Sequence, residues 1–444
     1  MIKKIAFLLK NKVFRASAVR KYKELLSNDR LSKQDLDKLN FEKRKNIVNF
    51  AYLNVPFYRD FYNSKGFDPK KLVNEEDWAL VPVLTKQDIR ENFDSLIATN
   101  AYKKRYVLSS TGGTSGEPLK VLHDKGNFLD VYGWRVFDWW DISLGTNIAF
   151  VFRLVRGTRI KKIINSILWY PTNRVFLDAS NVSEQDIQIF IKTIKRNKTK
   201  VIQGYTGAVN EVANYIINNN IKINGIEAIW TTSSPMTHSI RKNIEKAFDS
   251  KVYDQYGSGE VYWIATECSV HKGLHVHSDV RQIDIVDDNY ETLPDGEVGN
   301  ILVSDLDNYI FPIIRYKNGD LSSFSTYPCD CERPYKLLEK IYGRVSDLIK
   351  LPNGSFISGD YFTTIFDDFT EDVNAFQVHQ SMNGDIDIRI TYKLSCKEKF
   401  EIEDFISNNV KNKVKNLVNV KIIEVDNLNN NILGKNRFVT SEIS

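Results

Sequence analysis

Lys251-Val252-Tyr253-Asp254-Gln255-Tyr256-Gly257-Ser258-Gly259-Glu260 begins as a strand, in Lys251-Val252-Tyr253, and then runs into a loop that places an aromatic ring, a flexible backbone and a carboxylate close together. In an α/β sheet, ligands settle beyond the carboxyl ends of the strands, so a strand that opens into such a loop marks one wall of a crevice. The neighbouring sequence supports a layered sheet. Asn147–Phe152 reads as a strand, Ser183–Asn197 as a helix capped by Ser183, Val201-Ile202 as a strand and Ala208–Asn219 as a helix. Ile226–Trp230 is then a strand, and Ser239–Phe248 a helix. Short apolar runs alternating with longer amphipathic ones are the signature of α/β architecture.

A second sparse stretch, Ser109-Ser110-Thr111-Gly112-Gly113-Thr114-Ser115-Gly116-Glu117-Pro118, lies between the apolar Val107-Leu108 and Leu119–Leu122. Glycine lets successive backbone N–H groups converge, and serine and threonine add donors, which suits phosphate oxygens. A plain hairpin turn fits the same strand-loop-strand pattern, and the residues alone leave both readings open. It is not a Walker loop, because Gly116 is followed by Glu117 instead of lysine.

A chain of 444 residues exceeds one ordinary core. Residues 1–100 are helical in pattern, 101–345 form the α/β core with a β-rich end, and 346–444 have the make-up of a small α+β lid. Gln282–Val286 and Gly299–Ser304, joined through Pro294-Asp295-Gly296, give the β-rich end; strands near 384–393 and 419–425 around a helix at 398–416 give the lid. A net charge of +5 is slight for this length and argues against a nucleic-acid partner. Four cysteines are too few for a disulfide scaffold, which fits a reducing cytoplasm. The basic opening, with Lys3, Lys4, Lys10, Lys12, Arg15, Arg20 and Lys21 beside apolar residues, suits either weak peripheral contact with a membrane or a solvated helix face.

Cys268-Ser-Val-His271 and Cys329-Asp-Cys331 have the ligand chemistry of a closed tetrahedral zinc site, with His275 or His277 as substitutes for His271. Three reduced cysteines and a surface histidine are the plainer reading.

Taken in order, Ser109–Gly116, Tyr256–Glu260, Arg315–Leu321, Gly343–Lys350 and Gly434-Lys435-Asn436-Arg437 resemble the adenylate-forming enzymes. More narrowly the set resembles the phenylacetate-CoA ligase branch and its capsular polysaccharide relatives called CapK, from about residue 80 onward. The resemblance implies a large α/β domain of layered sheets and helices in several subdomains, with a small mobile C-terminal domain. It also implies ATP and Mg²⁺ as cofactors, a small carboxylic acid as substrate and CoA, another thiol or an amine as acyl acceptor. An amide-forming ligase acting on an amino sugar and a non-catalytic nucleotide-binding scaffold are the alternatives.

By the same resemblance Ser109–Gly116 would hold phosphates and Glu260 would hold Mg²⁺. Tyr256, with Gly257, would pack on adenine beside Ser233, Ser234 and Pro235; Asp320 would bind the ribose, and Arg344 the ribose or phosphate. Lys435 would stabilise the charge between carboxylate and α-phosphate, Asp347 would be the hinge, and Gly204 and Tyr205 would wall the acyl pocket. Two departures stand out: Glu117 replaces the family's lysine, and Gly204-Tyr205-Thr206-Gly207 lacks the proline and serine of the family's G-Y-P-S.

Overall fold

The computed structural model describes residues 2–101, 106–111, 119–127, 129–153, 169–179, 183–234, 236–344, 349–353, 356–357, 359–366, 369, 372–394, 396–428 and 439–443. The chain divides into two compact units. The first comprises Met1–Ser234, Asn243–Asn318 and Ser322–Lys340; the second comprises Pro235–Lys242, Gly319–Leu321 and Ile341–Ser444.

A hairpin comes first among the strands: β1 (Tyr106–Thr111) pairs antiparallel with β2 (Leu119–Asp124). Next are β3 (Ile148–Phe152), β4 (Arg174–Asp178), β5 (Val201–Tyr205), β6 (Ala228–Thr232) and β7 (Val252–Tyr256). These five run parallel in the spatial order β4-β3-β5-β6-β7. Helices Glu184–Arg196, Thr206–Asn218 and His238–Phe248 make the crossovers. Strands covered on both faces read as continuous apolar runs, as the buried Ala228-Ile229-Trp230-Thr231 does. The chain places β4 on one side of β3 and β5 on the other, so strand order reverses there, which is the topological switch point of an open α/β sheet.

The sheet continues antiparallel through β8 (Ala265–Glu267) and β9 (Leu274–Val276). Its remaining strands are β10 (Arg281–Val286), β11 (Gly299–Asp305), β12 (Tyr316–Phe324) and β13 (Leu337–Arg344). Eleven strands stand in the order β10-β11-β12-β13-β9-β8-β7-β6-β5-β3-β4. Gly296, in the turn before β11, has φ +92°, a conformation that favours glycine.

The N-terminal helices include Ile2–Phe14, Ala16–Asn28 and Lys33–Asn54, the last capped by Ser32, whose side chain accepts from the Asp35 N–H. The first two attach through the helix Asp130–Trp139, which is buried on nearly every side, while Asn40 of the third donates to the carbonyls of Ser278 and Arg281. Its Arg135 is fully buried and pairs with Asp279 at 2.9 Å and Asp29 at 2.5 Å. Trp139 Nε1 and Tyr335 Oη donate to the same Asp29 carboxylate at 2.8 Å each. Asp29 sits above the usual carboxylate range because burial outweighs these partners. For Asp279 burial also pushes upward, but Arg135 prevails and holds it at about 2.

In the second unit, β14 (Ile349–Lys350) pairs with β15 (Phe356–Ile357). A four-stranded sheet has the order β18-β17-β16-β19, from β16 (Val373–Gln380), β17 (Ile386–Tyr392), β18 (Val420–Glu424) and β19 (Val439–Ser441). The helix Lys399–Lys413 packs Ile402, Ile406 and Val410 into its core.

Candidate active site and cysteine cluster

β5, β6 and β7 end level: Tyr205 pairs with Thr232, and Thr232 with Gln255. The sequence stretch that opens as a strand therefore stays one for longer than its composition suggests, since Asp254-Gln255-Tyr256 belong to β7 and the loop starts at Gly257. Tyr256 is buried at the strand end, and Asn318 Nδ2 donates to its hydroxyl at 2.5 Å. Four residues on, the half-buried Glu260 accepts from the Tyr316 hydroxyl at 3.3 Å. Both donors stand on β12.

The hairpin reaches the same loop. Ser109 Oγ lies 3.0 Å from Tyr262 Oη, and His123 Nε2 lies 3.0 Å from the Gly259 carbonyl. The His123 ring lies 4.3 Å from that of Tyr262, and burial lowers its pKa and favours the neutral form. A neutral imidazole facing a carbonyl donates from Nε2. A cavity of about 340 Å³, within the range of small-ligand sites, opens here and is lined by Val107, His123, Leu129, Tyr262 and the Arg15–Asp130 ion pair. The two sparse stretches thus converge. The stretch from Ser109 is shorter than its composition suggests, because Ser109, Ser110 and Thr111 pair with Val121, Lys120 and Leu119 as strand. Backbone groups engaged in that ladder are not available to cradle an anion in the way a loop's are. Gly112, Gly113, Thr114, Ser115 and Gly116 lie outside the described residues.

After β6, Ser233 takes φ +87°, left-handed backbone at a residue with a side chain. Thr206 Oγ1 reaches the carbonyls of Thr232 at 3.2 Å and Ser234 at 3.4 Å, tying the end of β5 to that turn. Tyr205 is 37% exposed beyond the switch point, and its ring meets Phe152 edge-on at 4.8 Å. Gly204 has a packing role: a Cβ there would lie 2.7 Å from both Cβ and O of Val151 and 2.8 Å from Val209 Cγ2. Asp320 is half-buried on β12, and Arg344 ends β13. Pro235, Asp347 and Lys435 lie outside the described residues.

The cysteine cluster lies on the next strands of the same sheet, β8 pairing with β7. Cys268 follows β8, His275 is buried in β9, and Cys329 and Cys331 lie between β12 and β13. Because β9 pairs with β13, their ligand atoms come within 4.8 Å of one another. Cys268 Sγ is 3.6 Å from Cys329 Sγ, and Cys331 Sγ is 3.3 Å from His275 Nε2. Zinc bonds of about 2.3 Å to sulfur and 2.0 Å to nitrogen give tetrahedral edges of about 3.8 Å and 3.5 Å, close to these separations. His275 Nδ1 lies 3.4 Å from the Tyr335 carbonyl, an acceptor that keeps the proton on Nδ1 and leaves Nε2 as a ligand. The Val270 N–H donates to Cys268 Sγ at 3.4 Å.

His271 is displaced from the ligand set expected of it. The turn after Cys268 carries its ring against Tyr253 at 4.8 Å and puts Nδ1 3.3 Å from Glu267, so His275 completes the cluster. His277 is committed elsewhere, with Nε2 3.0 Å from Thr266 Oγ1 and Nδ1 3.4 Å from Arg135.

No family model matches the chain. Its fold is similar to that of 2-hydroxyisobutyryl-CoA ligase in the postadenylation state in complex with R3-HIB-AMP. The TM-score is 0.77 at 18% identity, covering 94% of this chain and 91% of that one. An open conformation of the same ligase, in complex with 2-HIB-AMP and CoA, gives 0.67 at 16% identity, with 92% of each chain covered. The architecture is shared with that ligase. In sequence, the chain is 23% identical to CapK of Staphylococcus aureus over 370 residues, 81% of this chain and 78% of the relative. It is 22% identical to phenylacetate-coenzyme A ligase of Thermus thermophilus over 336 residues, 72% of each chain. In sequence the chain is thus similar to CapK and to phenylacetate-CoA ligases, and in fold to a CoA ligase.

Proposed function

We propose that the protein activates a small carboxylic acid as its acyl-adenylate and passes the acyl group to a thiol, with CoA the acceptor that the relatives favour. A carboxylate oxygen attacks the α-phosphorus of ATP, the bond to the β-phosphate oxygen breaks and pyrophosphate leaves. The acceptor sulfur then attacks the acyl carbon, and AMP departs with the bonding pair. The observation that carries this reading is that β12 steadies both Tyr256 and Glu260, through Asn318 and Tyr316. One strand thereby fixes a ring suited to adenine and a carboxylate suited to a hard cation. Mg²⁺ bound at Glu260 would supply charge neutralisation for the departing pyrophosphate. Ser109, with the glycine stretch that follows, would donate hydrogen bonds to the β- and γ-phosphates; Asp320 and Arg344 would serve the ribose, and Lys435 the developing charge at the α-phosphate.

Service in surface polysaccharide assembly, in a cytoplasmic setting, rests on kinship with CapK alone. ATP–pyrophosphate exchange across a panel of carboxylic acids tests the first half-reaction, and product formation with CoA or with amino sugars tests the acceptor. Glu260→Gln should lower exchange by about 100-fold while the fold is retained. Exchange at the unaltered rate in that variant would remove Glu260 from the metal site.

We read Cys268, His275, Cys329 and Cys331 as a structural zinc site. Four protein ligands leave no open position for chemistry, and the metal would pin the β8–β9 turn to the segment before β13.

A further inference from the structure

The helix Ile2–Phe14 has two apolar sides. One is docked: Phe7 and Asn11 are buried, Phe7 meets Trp134 edge-on at 5.0 Å, and Lys3 Nζ donates to Asn147 Oδ1 at 2.9 Å. The other faces solvent, with Ile2 82%, Ile5 50%, Leu9 59% and Val13 76% exposed. At about 100° per residue these four fall within an arc of about 80°, opposite Phe7 and Asn11. On the same count Lys12 borders the arc about 20° from one edge, whereas Lys10 and Lys3 lie about 60° and 80° beyond the other, toward the Phe7 ring and Asn147.

We propose that this stripe docks on an anionic lipid surface, its apolar side chains among the upper acyl chains and Lys12 on the headgroups. Single exposed apolar residues are ordinary, whereas a continuous row along one helix marks an interaction surface. An apolar row edged by lysine in a strongly basic segment is the arrangement of helices that lie in a bilayer interface. Charge decides the occupant. Residues 1–23 contain eight lysines and arginines and no acidic residue, so a second copy of this helix would bring like charges together. Among the described residues no helix is long and apolar enough to cross a membrane, so the contact is peripheral.

The test is flotation of the full chain with vesicles of phosphatidylcholine alone or mixed with phosphatidylglycerol. The protein should float with the anionic vesicles only and be released by raised salt. Ile5→Ser, Leu9→Ser and Val13→Ser together should lower partitioning at least about tenfold with thermal unfolding unchanged, and Lys12→Gln about fivefold. The proposal is overturned if the wild-type chain fails to float with anionic vesicles, or if the triple variant floats as well as wild type. A wild-type dimer that the triple variant dissociates would also overturn it, by showing that the stripe covers a second copy.

Discussion

Gly204→Ala separates a packing role from a substrate role at the end of β5. The added Cβ would stand 2.7 Å from Val151 Cβ and from the Val151 carbonyl oxygen, and 2.8 Å from Val209 Cγ2. Carbon atoms in ordinary contact are about 3.5–4.0 Å apart, so the shortfall is about 1 Å on each side. Val209 is β-branched and turns about χ1 with difficulty. The carbonyl cannot retreat without moving β3, whose Val151 is the cross-strand neighbour of Gly204. Overpacking of this kind costs up to about 3 kcal/mol, and the loss of glycine's unfolded-state entropy returns up to about 1 kcal/mol. The net destabilisation is about 2 kcal/mol, which lowers Tm by about 2 °C in a chain of this length. Thermal unfolding followed by tryptophan fluorescence reads the first effect, and ATP–pyrophosphate exchange reads the second. A destabilised variant with an unchanged KM for the acid is expected. An unchanged Tm with a raised KM would mean that Gly204 faces substrate, and the packing reasoning would be wrong.

Purified protein should carry about one zinc per chain by elemental analysis, with Cys329→Ser and His275→Ala losing it and His271→Ala keeping it; loss in all three would restore His271 to the ligand set. Asp279, held at about 2 against an ordinary value near 4, contributes stability that is fully present above about pH 4 and fades as pH falls through 2, about 2 kcal/mol in all. Asp29, raised by burial, slopes the opposite way, so the readout is the difference between wild type and Asp279→Asn, which should grow as pH rises from 2 to 4 in urea titrations; a difference independent of pH would show that Asp279 is not held low. Lys435→Ala should block formation of the acyl-adenylate but still transfer an acyl group from chemically made adenylate to the acceptor, and loss of transfer in the folded variant would give the lysine both steps or neither.

The parallel half of the sheet is legible in the sequence because strands covered on both faces have to be apolar throughout. Boundaries are less so. Gly204-Tyr205 and Asp254-Gln255-Tyr256 look like loop because glycine and polar residues usually end strands, yet the sheet extends over both. β16 escapes the pattern altogether, since a register irregularity between Val373 and Ala375 breaks the period of two. Cysteine spacing is enough to raise a metal site, but the histidine is chosen by the β8–β9 register, which sets His275 opposite Thr266 and leaves His271 in the turn. His123 and Asn318 had no signal of their own, because their contacts with the 256–262 region span 136 and 62 residues. Only the tertiary fold brings such pairs together.

The buried Arg135 cluster sets an order on the making of the protein. Asp29 and Tyr335 are hydrogen-bonded to each other across 306 residues, and Arg135 bonds to both. Ribosomes add about 5–20 residues each second, so Asp29 waits roughly 15–60 s after its own synthesis before that partner exists. Through that interval the growing chain holds an acidic group destined for the interior with its final setting unmade. The helices of the first hundred residues leave the ribosome first and are among the last to lock, and a nascent chain arrested before residue 335 is expected to be open to proteases along its whole N-terminal side.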